Sequence, residues 1–412
     1  MNAKAWVLNA LLIAVSLALA WAAIEGVLAW RAGFSQGESA GGLYRYEDLY
    51  VSSQPIAVFD RVSGYRRTPG PTRIVRIVRD QVVFDQTFTP NNAGYISARD
   101  YARAKPPGTT RIIVLGDSFT AAEFNPVPWP DRVHGALKGR TAQPVEIYSF
   151  AINGAGLGNW HSVFFDDILP HYQFDALVIA TYVDNLARGF SYLHYDGPKA
   201  WIGYFPTRAR SDEDFFTNYL PKMSPHRVSV ADTAEIDAII AGLARPWQWP
   251  GLEVRLPALI AAAIDRGAPV RAFAPPAAVT GTLPSVGEIE TRYGAVQFAL
   301  FREIMDAARD RCIPTVLAPI PGRDGAKAAA RGDGETPHQL ETRALAAEFK
   351  AAYVDGYAAF TGVAEADIDR IYWLKYDGHW TQAGSDRFAD LMSDYLAAHE
   401  PELRGGGADC AK

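Results

Sequence analysis

The chain alternates apolar β-strand runs with helical segments, and this alternation restricts its fold more than any other feature. The strand runs lie near 111–116, 145–151, 176–182 and 314–319, and a last short strand is expected at 351–355. Such alternation indicates a parallel sheet with helices on both faces. The sequence therefore predicts an α/β domain built as a three-layer αβα sandwich. With 412 residues, 49% of them hydrophobic, the chain can bury a large core and form more than one compact unit.

The first strand run ends abruptly at Gly116, and Asp117 and Ser118 follow it. Sites of α/β proteins lie just beyond the carboxyl ends of parallel strands, so Ser118 is a candidate nucleophile. A serine hydroxyl needs an imidazole to take its proton and a carboxylate to orient that imidazole. His379 and Asp377, two residues apart before the final helical pattern, are the candidates. The other interpretation is an ordinary turn at Gly-Asp-Ser and a histidine buried near a helix start.

Two further strand ends offer hydrogen-bond donors for a developing oxyanion. Asn185 follows the strand at 177–183 and carries a side-chain amide, a group that stabilises such a charge by several kcal/mol. A glycine-rich loop at 151–156 follows the strand at 145–150 and can bring backbone N–H groups close to a substrate. Ordinary turns are the other interpretation of both segments.

Taken in order, these segments resemble the SGNH, or GDSL-type, hydrolase family, over roughly 111–398 with one large interruption. The run 116–120 matches the nucleophile block, with Phe119 where Leu is commoner. Asn185 matches the asparagine block, and Asp377 and His379 match the acid–base block. The resemblance implies a flavodoxin-like sandwich in which Ser118 is the nucleophile, His379 the base and Asp377 its orienter. The Asp-x-His spacing is familiar in membrane-attached, polysaccharide-associated members of the family.

The resemblance also implies an oxyanion hole, formed by the Ser118 N–H, the Asn185 side chain and a backbone N–H after the second strand. Strand phase assigns that N–H to Ala151, and Gly154 is the other choice. The family usually has Gly before the block Asn, whereas this chain has Asp184, which adds a carboxylate near the site.

Charge and cysteine content exclude several classes of partner. The net charge is −6 without positive blocks, so a nucleic-acid partner is not expected. No Cys/His spacing resembles a metal site, and neither a metal nor a cofactor is predicted. The two cysteines, Cys312 and Cys410, either pair in an oxidising compartment or are two free thiols.

The amino-terminal segment is almost wholly apolar from Ala5 to Ile24, long enough for about one bilayer crossing. Lys4 precedes it, which indicates a cytoplasmic start. We predict an uncleaved, single-pass anchor in the cell membrane, with the rest of the chain in the periplasm or otherwise outside the cytoplasm. A cleavable signal peptide and a buried core helix are the competing interpretations.

The interruption at 189–287 is rich in aromatic residues and proline, and helices are expected at 232–243 and 256–266. It forms either a lid or acceptor groove for sugar rings, or a small core of its own. The predicted organisation is an anchor at 1–32, a linker and β-rich lead-in at 33–107, the α/β domain at 108–188 and 288–403, the insertion at 189–287, and a flexible tail at 404–412.

Together these features predict an exported serine esterase that works through an acyl-Ser118 intermediate. The expected substrate is an acylated, typically acetylated, carbohydrate or a small ester. The alternative is an O-acyltransferase that modifies an envelope or secreted polysaccharide, with a membrane partner as acyl donor. A non-catalytic glycan-binding or assembly protein is the second alternative.

Overall fold

The computed structural model describes residues 46–78, 80–183, 185–196, 199–205, 228–243, 283–373 and 378–404, with short pieces at 15–16, 19, 37–38, 248–249 and 252–253. Asp184, Asp377 and Cys410 lie outside the described residues, as do nearly all of the predicted anchor and the helix expected at 256–266. Among the described residues, no helix is both long and apolar enough to cross a bilayer.

The strands, in chain order, are β1 (Gly37–Glu38), β2 (Tyr46–Ser52), β3 (Ala57–Asp60), β4 (Gly64–Arg67), β5 (Thr72–Val78), β6 (Gln81–Phe88), β7 (Thr110–Leu115), β8 (Val145–Ser149), β9 (Ala176–Thr181), β10 (Phe190–Asp196), β11 (Lys199–Phe205), β12 (Val228–Val230), β13 (Gln248–Trp249), β14 (Leu252–Glu253), β15 (Thr315–Pro319) and β16 (Ala352–Tyr353).

The α-helices are α1 (Ser118–Ala121), α2 (Trp129–Ala136), α3 (Leu157–Val163), α4 (Leu169–His171), α5 (Thr233–Leu243), α6 (Val286–Tyr293), α7 (Ala295–Asp310), α8 (Arg323–Arg331), α9 (Pro337–Glu348), α10 (Glu365–Ile371) and α11 (Gln382–Leu403). A π-helical turn at Phe164–Ile168 and 3-10 turns at Asn185–Ala187 and Gly356–Phe360 complete them.

The central sheet has five parallel strands in the order β16-β15-β9-β7-β8. Successive side chains of a strand point to opposite faces. In β7, Ile113 and Leu115 accordingly join one core with α3, α7 and α9, and Ile112 and Val114 join another with α2, α8 and α11. The predicted mixed α/β architecture, with a parallel sheet between two helical layers, is therefore confirmed.

A second, seven-stranded sheet joins two segments that are distant in sequence. The lead-in strands β2, β5 and β6 pair antiparallel, β12 pairs parallel to β2, and the β10–β11 hairpin extends the same sheet. The helix α5 is the first of the two helices predicted for the insertion, and the β10–β11 hairpin is an element that the sequence analysis does not predict. Asp196, the last residue of β10, is followed by Gly197 in the sequence, and Asp-Gly is a hairpin signal.

Two local predictions have definite outcomes. The alternating run at 72–79 and its partner at 81–88 form the antiparallel pair β5–β6, as expected. Cys312 is disulfide-bonded, so the alternative of free thiols is wrong for this residue. The only other cysteine in the sequence is Cys410.

Candidate active site

Ser118 is the first residue of the short helix α1, directly beyond the carboxyl end of β7. The turn between them needs glycine, because a Cβ on Gly116 would lie 2.2 Å from Thr120 Oγ1. Asp117 caps α1 by accepting a hydrogen bond from the Phe119 N–H at 3.0 Å. Ser118 is 9% exposed, and among the described residues its own N–H has no acceptor. The hydroxyl and the backbone N–H of Ser118 therefore both lie at the carboxyl end of β7, where a substrate could meet them.

His379 reaches the same strand end from the other end of the chain. It lies on a narrow antiparallel connection, in which the Trp373 N–H donates to the His379 carbonyl at 2.8 Å and the Thr381 N–H donates to the Ile371 carbonyl at 2.7 Å. His379 Nε2 lies 2.6 Å from Ser118 Oγ. This is hydrogen-bond distance, so the imidazole can take the serine proton.

Two aromatic rings hold the imidazole in place. The ring centroids of Phe119 and Phe124 lie 4.8 and 4.4 Å from that of His379. Phe124 in turn packs on Phe84 of β6 at 5.3 Å, so the second sheet supports this wall of the site. Contact with two rings limits the rotation of the imidazole, which favours a constant orientation towards Ser118.

Asp117 is a buried carboxyl group beside this pair, and no role beyond the motif was predicted for it. Burial raises its pKa above the usual range, while Arg188, the Asn185 amide, the Phe119 N–H and the charge of His379 act to lower it. The predicted orienter, Asp377, lies outside the described residues.

Asn185 is fully buried and holds the nucleophile loop. Its amide nitrogen donates to Asp117 Oδ2 at 2.9 Å and to the Ala155 carbonyl at 3.2 Å, and its oxygen accepts from the Tyr182 N–H. Both amide hydrogens are therefore in use within the protein. In this geometry the side chain ties the end of β9 to the loops after β7 and β8, and its role as an oxyanion donor stays a prediction.

The hydrogen bonds of the backbone after β8 bear on the two candidate N–H donors, Ala151 and Gly154. The N–H groups of Phe150 and Ile152 donate to carbonyls at the end of β7, at 2.8 and 3.2 Å. Since N–H groups alternate in direction along a paired strand, that of Ala151 does not point towards β7. It is therefore not used in pairing with β7, and Ala151 stays a predicted oxyanion donor.

Gly154 follows in a left-handed conformation, with φ +68°. Its N–H has no acceptor among the described residues. The preceding carbonyl, that of Asn153, accepts a hydrogen bond from the Tyr65 hydroxyl at 2.7 Å. Among the described residues neither the Ala151 N–H nor the Gly154 N–H has an acceptor, so both stay predicted donors, and Gly154 is the one next to a carbonyl held by Tyr65.

A buried ion pair beside the site was missed entirely by the sequence analysis. Glu123, five residues after Ser118, pairs with Arg67 of β4, and their side chains are 3% and 5% exposed. Glu123 also accepts hydrogen bonds from Tyr50 and Asn153. Charged residues are seldom buried, and no pattern marked this pair; the only signal was the closeness of Glu123 to the nucleophile motif.

Among the described residues, no cluster of His, Cys, Asp or Glu could hold a metal ion.

Comparison with known proteins gives a distant likeness only. No protein-family model and no curated protein matches the chain. Among solved structures, it is similar to a lipase/acylhydrolase from Enterococcus faecalis, with 13% sequence identity and a TM-score of 0.34, over 70% of this chain and 96% of that one. At that TM-score the likeness by itself assigns neither fold nor activity.

Proposed function

We propose that the protein is a serine esterase of the SGNH type that cleaves an acyl ester through an acyl-Ser118 intermediate. The 2.6 Å contact between Ser118 Oγ and His379 Nε2, formed by residues 261 positions apart, carries this proposal. A hydroxyl and an imidazole at this distance form the nucleophile–base unit of acyl transfer.

The reaction follows from the positions of these groups. Ser118 Oγ attacks the acyl carbon while His379 Nε2 takes its proton, and the carbonyl oxygen becomes an oxyanion. The N–H groups of Ser118 and Gly154 would hold that charge. His379 then gives the proton to the leaving alcohol, which breaks the ester bond. Water, deprotonated by His379, attacks the acyl-enzyme, and Ser118 recovers its proton as the acid departs. Asp377 is the proposed orienter of the imidazole.

We further propose that the enzyme acts outside the cytoplasm, anchored by its apolar amino-terminal segment, on an acetylated glycan or a small ester. The sequence pattern of that segment supports export. The disulfide at Cys312 supports it independently, because disulfides persist in oxidising compartments.

The test is hydrolysis of p-nitrophenyl acetate by the full-length protein in detergent. We expect Ser118→Ala and His379→Ala each to lower kcat by at least about 1,000-fold, since loss of either member disables the unit. Ser149→Ala, at the end of the neighbouring strand β8, is the matched control and should keep wild-type turnover.

A fluorophosphonate probe should add its mass to Ser118 in the wild type and in Ser149→Ala but not in Ser118→Ala. Equal rates for wild type and Ser118→Ala would refute the proposed nucleophile. Acetyl groups recovered on an added oligosaccharide, in place of free acetate, would show that the acceptor is a sugar and that the enzyme is a transferase.

A further inference from the structure

The peptide unit that joins Asn153 to Gly154 is held from the lead-in region, outside the α/β domain. We propose that Tyr65 and Glu123 are positioning residues that orient the Gly154 N–H towards the oxyanion. This inference rests on the proposed function and gives the lead-in a part in the chemistry.

Tyr65 fixes the direction of the peptide unit. Its hydroxyl donates to the Asn153 carbonyl at 2.7 Å, and its ring is buried in the core of the α/β domain. A peptide unit is planar, and in the trans form its C=O and N–H point in opposite directions. A bond that holds the carbonyl of Asn153 therefore also sets the direction of the Gly154 N–H.

Glu123 holds the same residue by its side chain. Glu123 Oε1 accepts from Asn153 Nδ2 and, at 3.0 Å, from the Tyr50 hydroxyl, while Oε2 pairs with Arg67. Glu123 follows directly after Ala122, the left-handed residue that ends the nucleophile helix α1. One carboxylate thus connects the Ser118 helix to the Asn153 loop, which fixes the spacing of the two proposed oxyanion donors.

The strand β4 supplies two of the lead-in contacts, those of Tyr65 and Arg67, and Tyr50 of β2 supplies the third. Tyr65 and Arg67 are two residues apart, and alternate residues of a strand share one face. The Arg67 guanidinium lies 5.5 Å from the Tyr65 ring and 5.2 Å from the Phe88 ring, so the aromatic contacts hold it in position. Oxyanion donors act through preorganisation, and these contacts supply it from a separate sheet.

The test compares Tyr65→Phe with Tyr95→Phe. Both residues are buried tyrosines of the same core, but the Tyr95 hydroxyl has no hydrogen-bond partner among the described residues. Loss of a whole oxyanion donor costs about 100- to 1,000-fold in kcat, so loss of its orientation should cost about 10- to 100-fold. We expect Tyr65→Phe to show this fall with KM within about twofold, and Tyr95→Phe to keep wild-type kcat.

A boronic acid, which forms a tetrahedral adduct with a nucleophilic serine, gives a readout that a merely structural role would not change. Its inhibition constant should rise in Tyr65→Phe by about the same factor as kcat falls. Tyr65→Phe should melt below Tyr95→Phe, because the Asn153 carbonyl loses its donor, and both variants are assayed well below their melting temperatures. Asn153→Ala, which removes the link to Glu123 but keeps the peptide unit, should show the same pattern.

The outcomes separate the two proposals. Normal wild-type turnover with equal kcat in Tyr65→Phe and Tyr95→Phe would overturn the positioning role and leave the esterase intact. A rise in the KM of Tyr65→Phe without a loss of kcat would also overturn the positioning role. If the wild type itself showed no Ser118-dependent turnover, the proposed function would fail, and the positioning inference with it.

Discussion

Replacing Glu123 with glutamine would measure what the buried ion pair beside the site contributes to stability. The substitution keeps the side-chain oxygen that accepts from Tyr50 and Asn153, and it removes the charge that faces Arg67. Arg67 stays charged in a pocket where its side chain is 5% exposed. The protein would then bury a cation without its counter-ion.

The expected loss is about 3 kcal/mol. Removing one partner of a buried ion pair costs about 3–5 kcal/mol, since the remaining charge has lost both water and partner. The rings of Tyr65 and Phe88 stabilise a guanidinium by about 1 kcal/mol each, which places this pair at the lower end of that range. An additional Arg67→Met should restore most of the loss, because neither buried charge then remains.

The assay is urea unfolding followed by tryptophan fluorescence, with Asp394→Asn as control. Asp394 pairs with Arg140 at 2.7 Å, but those side chains are 74% and 42% exposed, so the control should lose at most about 1 kcal/mol. High salt should abolish the small effect of the control and leave that of Glu123→Gln. Equal losses in the two variants, or no recovery on adding Arg67→Met, would refute the reasoning from burial.

Other predictions concern the buried His338 and two glycines. Burial lowers the pKa of His338 to about 3, so between pH 6.5 and 3 the unfolded chain binds the extra proton. The free energy of unfolding should therefore fall by up to about 1.4 kcal/mol per pH unit below pH 6.5. Urea unfolding between pH 4 and 7 should show a smaller slope for His338→Gln than for the wild type. Identical slopes in the two proteins would contradict this prediction. Gly384→Ala would place a Cβ 2.7 Å from Ile371 Cγ2 and 2.9 Å from Trp380 Cγ, next to His379, so it should cost about 1–3 kcal/mol and lower kcat. Gly135→Ala, in open space on α2, should instead raise the free energy of unfolding by up to about 1 kcal/mol. If both glycine variants changed the free energy of unfolding in the same direction, the packing argument would be wrong.

The positions of the strands and the nucleophile followed from local sequence. Fully buried strands read as continuous apolar runs, and the end of such a run places Ser118 at the carboxyl edge of the sheet. The need of a serine for an imidazole then pointed to His379, which the fold brings within 2.6 Å. These inferences need only strand periodicity and the chemistry of acyl transfer.

Tertiary structure decided how the polar groups around that pair are used. Asn185 has the right side chain for an oxyanion donor, but its hydrogens are bonded to Asp117 and the Ala155 carbonyl. Similarly, the choice between Ala151 and Gly154 depends on a hydrogen-bond ladder that residue types do not encode. The direction in which an N–H group points depends on backbone geometry, which the residue types alone do not reveal.

The sequence by itself determined the α/β core and pointed to Ser118 and His379, because apolar strand runs and short motifs can be recognised from neighbouring residues. Only tertiary structure showed that β10 to β12 complete the lead-in sheet and that Arg67 and Glu123 meet beneath the site. Strand pairing across more than a hundred residues, and burial of two opposite charges, depend on which surfaces pack together. These contacts depend on how distant surfaces fit together in the folded chain, and local sequence patterns do not show that.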